Sequence, residues 1–248
     1  MNNIKRNKMD EQSKRSYLQT TESVNIFANY TTVGEVQIRS ADSSDEQIDI
    51  LKQDGVVCLH DIVDKEFLKT ADKYISAKKY KGEKTNDVFV QDNINYIVFN
   101  KGQQDFWDLE LKIPDLKPIE NIIDKVIKTP YKLSSIGALT LDAKTKSTSK
   151  WHRDTMPLFT VGTAAENDEH TLRLPDFYFT VFIPTRDVIG GATEFSIMNH
   201  SARGFVRAGD AIIMNGKTLH RGRDNDSNVD RNMIYLIYCA TWYDEKKF

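Results

Sequence analysis

FYFTVFIPTRDVIGGATEFSIM, residues 177–198, carries the reading of the fold. Its first eight residues are aromatic or β-branched except for the closing Pro184. Turn formers follow, and ATEFSIM then returns to aromatic and β-branched residues. That is strand, turn, strand. The pattern extends in both directions, through YKLSSIGALTLDA (131–143), DAIIM (210–214) and NMIYLIYCATWY (232–243), each bounded by Gly, Pro, Asn or Asp. A run of short strands with frequent turn signals predicts a β-sandwich or barrel.

The chain before Tyr131 reads differently. Residues 1–23 are polar and are expected to form a flexible N-terminal segment. NIFANYTTVGEVQIRSA (25–41) is expected to lie over the main body. Ser44 precedes DEQIDILKQDG, a short helix with acidic residues in its first turn and Gly55 at its end. VVCL (56–59) is a buried strand. Asp64 starts a second helix, in which Phe67, Leu68, Ala71, Tyr74 and Ile75 keep helical spacing. DVFVQDNINYIVFN (87–100) reads as one or two strands. Pro118 opens a third helix with Ile119, Ile122, Ile123 and Val126 on one face. Residues 24–248 are therefore expected to form one domain, helices and edge strands first, with the β body mainly in 131–243.

The composition bounds the function. The chain has 248 residues, 40% of them hydrophobic and 28% charged, as in a soluble globular protein. A net charge of −2 offers no basic excess for a phosphate backbone, so no nucleic-acid partner is expected. Cys58 and Cys239 sit in apolar runs and read as buried thiols rather than a disulfide. The N-terminus lacks the apolar block of a signal peptide, and no apolar stretch approaches a membrane span. The expectation is a cytoplasmic protein with no membrane partner.

WHRDTMPLF (151–159) holds the chemistry. In an extended segment His152 and Asp154 point to one face. Alone, a His-x-Asp triplet is weak evidence, and a polar strand end is the simpler reading. Of the other histidines, His60 looks like a surface turn residue, His170 lies in a polar loop and His200 in a turn between strands. His220 differs, standing between the turn at Asn215-Gly216 and the chain-reversing GRDNDSN. Arg231 then heads an apolar strand expected to return beside His220. Buried there, it needs an anion: either a dicarboxylate ligand or an internal Asp or Glu. Two histidines and one carboxylate on one face of a β body describe the facial triad of non-haem Fe(II) oxygenases. Such a centre leaves room for the 2-oxoacid end of 2-oxoglutarate and for O2.

Other residues carry weaker signals. Arg153 lies between two proposed ligands and should point away by alternation, though it could reach over the mouth to a substrate anion. Tyr96, Phe99, Trp107 and Tyr178 could line a substrate pocket, although aromatics in strands are more often core. Arg186 and Arg223 read as surface residues, KTKSTSK (144–150) as a solvated loop, and AENDEH (165–170) as a lid or a plain loop.

From about Gly55 to Tyr243 the sequence resembles the phytanoyl-CoA dioxygenase (PhyH) family of Fe(II)- and 2-oxoglutarate-dependent oxygenases. The resemblance rests on DGVVCLHDIVDKEFL, WHRD, FTVFIPTRDVIGGATEFSIMNHSA, GDAIIMNGKTLHRGRDNDSNVDR and YCATWY. It implies a double-stranded β-helix (jelly-roll, cupin-like) core with flanking helices. It implies iron on His152, Asp154 and His220, and 2-oxoglutarate on Arg231, with Thr180 lining that pocket. Two positions depart from the family pattern: MNHS replaces PGSH, and Gly222 stands where some members carry a small hydroxyl residue. An aspartate at 154 favours hydroxylation over halogenation. The implied activity is oxidation of a small molecule with release of succinate and CO2. The alternative is a non-enzymatic or zinc-binding jelly-roll protein, for which Arg231 has no use. The substrate is set by loops and is not legible.

Overall fold

A computed structural model describes residues 30–79, 88–98, 116–155, 158 and 169–243. The expected flexible segment, Phe99, Trp107 and most of AENDEH lie outside the described residues.

Helix α1 (Ser44–Asp54) is capped by Ser43, whose Oγ accepts from the Glu46 amide at 3.3 Å, and it ends on Gly55 at φ 74°. The cap thus lies one residue before the expected position, because Ser44 is already within the helix. Helix α2 (Lys65–Lys78) starts as expected, with Asp64 Oδ1 accepting from the Phe67 amide at 2.9 Å. Helix α3 (Lys117–Val126) buries Ile119, Ile122, Ile123 and Val126. Burial of each isoleucine contributes roughly 1.5–3 kcal/mol.

The strands form two sheets. The larger has the order β2 (Val56–Leu59), β9 (Ala211–Asn215), β6 (Tyr178–Pro184), β11 (Arg231–Ala240), β5 (Tyr131–Leu141), β4 (Ile94–Val98), β3 (Val88–Gln91). The smaller has the order β1 (Glu35–Gln37), β8 (His200–Arg203), β7 (Thr193–Ile197), β10 (His220–Gly222). Together they make a jelly roll with helices packed on the larger sheet. Segment 87–100 contains two strands, and the turn between them uses Asp92 and Asn93 at φ 52° and 64°. The MNHS stretch is another such turn, with Met198 and Asn199 at φ 48° and 66° joining β7 to β8.

Alternation sorts the larger sheet's side chains. Phe179, Val181 and Ile183 of β6, with Ile234, Leu236 and Tyr238 of β11, pack in one core with helices α1, α2 and α3. Phe182, Met233 and Tyr235 point the other way and pack against Phe195 and Ile197 of the smaller sheet. With both faces covered, β6 is apolar nearly throughout, which is why it reads as a continuous run rather than an alternating one. Thr180 and Arg231 share parity with the inter-sheet residues and so belong to the interior of the roll. Gly137 is required there: a Cβ would lie 2.4 Å from the Tyr235 ring. Cys58 and Cys239 are both free and buried. Among the described residues no helix is long and apolar enough to cross a membrane.

Candidate metal centre

His152 and His220 are joined through their backbones. Each amide donates to the other's carbonyl at 2.9 Å, which sets both imidazoles on one face with ring centroids 4.3 Å apart. Trp151 anchors this segment: it is buried, Tyr30 meets it edge-on at 5.2 Å, and the Arg221 guanidinium lies over its ring at 4.8 Å. Phe195, opposite His220 in the sheet, stacks on the His220 ring. The Asp154 amide donates to the Gly216 carbonyl at 3.0 Å, which carries the carboxylate back toward the imidazoles. Asp154 Oδ1 then lies 3.4 Å from His220 Nε2 and 3.9 Å from His152 Nε2.

The lone pairs are aimed by their neighbours. His152 Nδ1 lies 2.8 Å from the Lys150 carbonyl, and His220 Nδ1 lies 3.0 Å from the Thr218 carbonyl. A carbonyl only accepts, so both Nδ1 atoms carry the proton and both Nε2 atoms are left as donors to a metal. Thr180 Oγ donates to Asp154 Oδ2 at 2.5 Å, leaving Oδ1 toward the histidines. One donor atom from each residue lies within 4.8 Å of the others. Two imidazole nitrogens and one carboxylate oxygen, each held by an outer partner, fit a three-ligand metal centre with open positions. The His152 side chain is 47% exposed and that of His220 5%, so the centre opens on the His152 side.

The metal-free charges support the same reading. Burial opposes ionisation of Asp154, but the charge and hydrogen bond of His220 outweigh it and hold the carboxyl at about 2. Burial likewise opposes a charge on His220, and Asp154 reverses this to leave its pKa raised. Burial and the neighbouring His220 push His152 down. These shifts favour an ionised carboxylate at Asp154 and a neutral imidazole at His152, the forms in which both bind a metal.

Arg231 heads β11 facing the interior. Its Nη1 donates to the Asp224 carbonyl at 2.9 Å and its Nη2 to the Arg223 carbonyl at 2.6 Å. Among the described residues no carboxylate forms an ion pair with it. Burial, then repulsion from Arg223, pulls its pKa down to about 10. No Asp or Glu among the described residues is therefore its partner, and an anion bound there would offset the burial of the cation.

The remaining predicted residues lie as follows. Thr180 touches Asp154 rather than Arg231. It pairs with Ile237, six residues from Arg231, or about 20 Å along the strand. Arg231 instead contacts the turn that follows His220, through the Arg223 and Asp224 carbonyls. Tyr96 shares the interior side with Ile94, which faces Gly222, and burial together with the Asp154 charge pushes its hydroxyl pKa up. Tyr178 is buried against Tyr243, ring centroids 5.6 Å apart, with its ring over Gly216. Arg153 Nε donates to the Lys217 carbonyl at 2.7 Å, beside the Gly216 turn that holds Asp154.

Sequence reading missed the role of KTKSTSK. This stretch is zipped to the turn after His220. Lys146 Nζ meets Asp224 at 2.8 Å and Asp226 at 3.2 Å, and the Ser147 amide donates to Asp224 Oδ1 at 2.9 Å. The Asn225 amide donates to the Thr145 carbonyl at 2.9 Å, and the Gly222 amide to Ser149 Oγ at 3.1 Å. The carbonyls that hold Arg231 belong to this zipper. A polar run carries no signal of such partners. Arg186, read as a surface residue, is exposed but also pairs with the buried Asp72 of α2 at 2.6 Å.

No protein-family model matches the sequence, and no curated protein matches it. Solved structures do match in shape. HygX from Streptomyces hygroscopicus, with nickel, 2-oxoglutarate and hygromycin B bound, superposes with a TM-score of 0.61 at 12% identity, over 82% of this chain and 89% of its own. AviO1 from Streptomyces viridochromogenes Tue57 superposes with a TM-score of 0.61 at 13% identity, over 82% of this chain and 97% of its own. SnoK, a non-haem alpha-ketoglutarate-dependent carbocyclase from nogalamycin biosynthesis, gives 0.55 at 15% identity, over 80% of this chain and 85% of its own. At these identities the likeness establishes the fold, and that fold is the jelly-roll architecture that the family resemblance implied, one of the β-sandwich and barrel forms expected from the strand pattern.

Proposed function

We propose that this protein is an Fe(II)- and 2-oxoglutarate-dependent dioxygenase of the PhyH type that oxidises, and in the simplest case hydroxylates, a small molecule. The observation that carries the reading is the pairing of two features in one interior: three converging donor atoms and a desolvated arginine that pairs with no acid among the described residues. His152, Asp154 and His220 would hold the iron, and Arg231 would bind the distal carboxylate of 2-oxoglutarate through its guanidinium. Thr180 holds Asp154 in its ligating orientation. Tyr96, which feels the Asp154 charge, and Arg153 and Tyr178, both beside the Gly216 turn, are the candidates for substrate contact. Iron bound there supplies the redox chemistry, in which O2, 2-oxoglutarate and a C–H bond become a C–OH group, succinate and CO2.

The similar structures support this class: HygX was crystallised with 2-oxoglutarate and an antibiotic, and SnoN is an alpha-ketoglutarate-dependent epimerase. SnoN and SnoK also show that one fold hosts epimerisation and ring closure. A net charge of −2 favours a small molecule over nucleic acid. We place residues 24–248 in one catalytic domain. The test is a metabolite screen with iron, ascorbate and 2-oxoglutarate that reads succinate release and product mass. Substrate-dependent succinate is expected, and Asp154→Ala should abolish it. A zinc-binding jelly roll is the competing reading, because His2Asp also suits zinc. Tight zinc with no 2-oxoglutarate turnover under iron would establish it instead.

A further inference from the structure

A second cluster of ligand-type side chains lies well away from the triad. Cys58 and His60 stand two residues apart where β2 ends, and Asp210 directly precedes β9, with which β2 pairs through Cys58–Ile212 and Leu59–Ala211. Residues i and i+2 of an extended segment share a face, and the antiparallel register sets Asp210 beside His60. His60 Nδ1 accordingly lies 3.1 Å from Asp210 Oδ2. One donor atom from each of Cys58, His60 and Asp210 lies within 4.8 Å of the other two.

The carboxylate is oriented in advance. Asp210 is 1% exposed; its Oδ1 accepts from the Asp61 amide at 3.1 Å and its Oδ2 from the Arg207 amide at 3.0 Å. Cys58 is buried and the His60 side chain is 48% exposed, so the cluster opens to solvent on one side only. Burial and the Asp210 charge hold the thiol in its protonated form, pushed up to about 12. A cation between the sulfur and the carboxylate reverses that penalty.

We propose that Cys58, His60 and Asp210 form a second metal site that takes a soft divalent ion, Zn(II) before others. Sulfur, nitrogen and oxygen donors with one open position are the ligand set of a tetrahedral zinc site. The thiolate selects against magnesium and calcium, which prefer oxygen alone. On binding, the metal–sulfur bond replaces the Cys58 S–H bond, and the proton leaves to solvent. The site is independent of the triad. Thr180, which holds Asp154, pairs with Met214, and Asp210 lies four residues further along, about 13 Å of strand. Because β2 is an edge strand, the ion would clamp that edge to the end of β9.

The test is titration of the metal-free full chain with Co(II), read by sulfur-to-cobalt charge-transfer absorption in the near ultraviolet. The triad has no sulfur and cannot produce that band. The expected result is a band whose amplitude corresponds to one sulfur-bound cobalt per chain, is displaced by zinc, persists in Asp154→Ala and Cys239→Ala, and is absent in Cys58→Ser. His60→Ala should weaken cobalt binding at this site by more than the roughly 10–100-fold that loss of a mere outer partner costs. A wild-type chain that shows no such band while cobalt fills the triad overturns the proposal, as does a band that survives Cys58→Ser. Should Cys58→Ser fail to fold, unchanged cobalt affinity in His60→Ala overturns it equally, since that half-exposed side chain can be removed without opening the core.

Discussion

Thr180 donates its hydroxyl hydrogen to Asp154 Oδ2 at 2.5 Å, across 26 residues of sequence and from a different strand. The bond settles which carboxylate oxygen faces His152 and His220. It also makes the orientation of one proposed ligand depend on the register of β6 in the larger sheet rather than on the His-x-Asp triplet itself.

Thr180→Val keeps the shape and removes that bond. Outer partners of metal ligands typically contribute 10–100-fold to metal affinity or activity. Iron affinity, measured by titration of the metal-free chain, should fall within that range while thermal stability changes little. Unchanged affinity would show that Asp154 is oriented by its backbone contact to Gly216 alone.

Arg231→Ala should raise the KM for 2-oxoglutarate strongly, by roughly the 2–5 kcal/mol associated with a buried charge pair, with little change in iron binding. Arg231→Lys should rescue only in part, because an ammonium cannot make two parallel hydrogen bonds to a carboxylate while also reaching the Arg223 and Asp224 carbonyls. Steady-state kinetics at saturating substrate separates the two variants. A KM equal to wild type in both would leave Arg231 as a structural tie to the turn.

Asp224 joins the two ligand-bearing segments. Its side chain takes Lys146 Nζ and the Ser147 amide, and its carbonyl takes Arg231. Asp224→Ala should therefore raise the 2-oxoglutarate KM a few-fold without moving iron affinity. The effect should resemble that of high salt on the wild type, since the Lys146 side chain is 71% exposed and its ion pair is screened. Equal salt dependence in variant and wild type would count against the idea.

Acid should loosen the metal-free site. The Asp154 carboxyl is depressed from 3.8 to about 2 in the folded chain. Its contribution is therefore present above the unfolded value and is lost as pH falls from about 4 toward 2. The raised pKa of His220 acts in the opposite sense, stabilising below its unfolded value and fading as pH rises through the folded one. Metal binding needs His220 neutral, so iron affinity should fall as pH drops below that raised value. Metal titrations across pH 5 to 8, with Asp154→Asn as the comparison, check this; a pH-independent affinity in the wild type would contradict it.

Local signals carried much of this protein. Strand texture, the helical spacing of Ile119, Ile122, Ile123 and Val126, the His-x-Asp triplet and the turn-flanked His220 are all patterns of neighbouring residues, and periodicity and turn chemistry act over such distances. They pointed to a β-sandwich or barrel, which the family resemblance narrowed to a jelly roll, and to the four residues proposed for the site. Tertiary structure decided the rest: that Thr180 bonds Asp154, that Arg231 rests on two carbonyls and on no acid among the described residues, and that the solvated KTKSTSK loop is zipped to the turn after His220. It also brought Cys58 and His60 to Asp210. In each case the partner is chosen by sheet register and by which face a side chain takes, and these are set by the packing of two sheets and three helices at once. A hydroxyl, an arginine or a thiol states in sequence what it can bond to. Only the assembled sheet states what lies within reach.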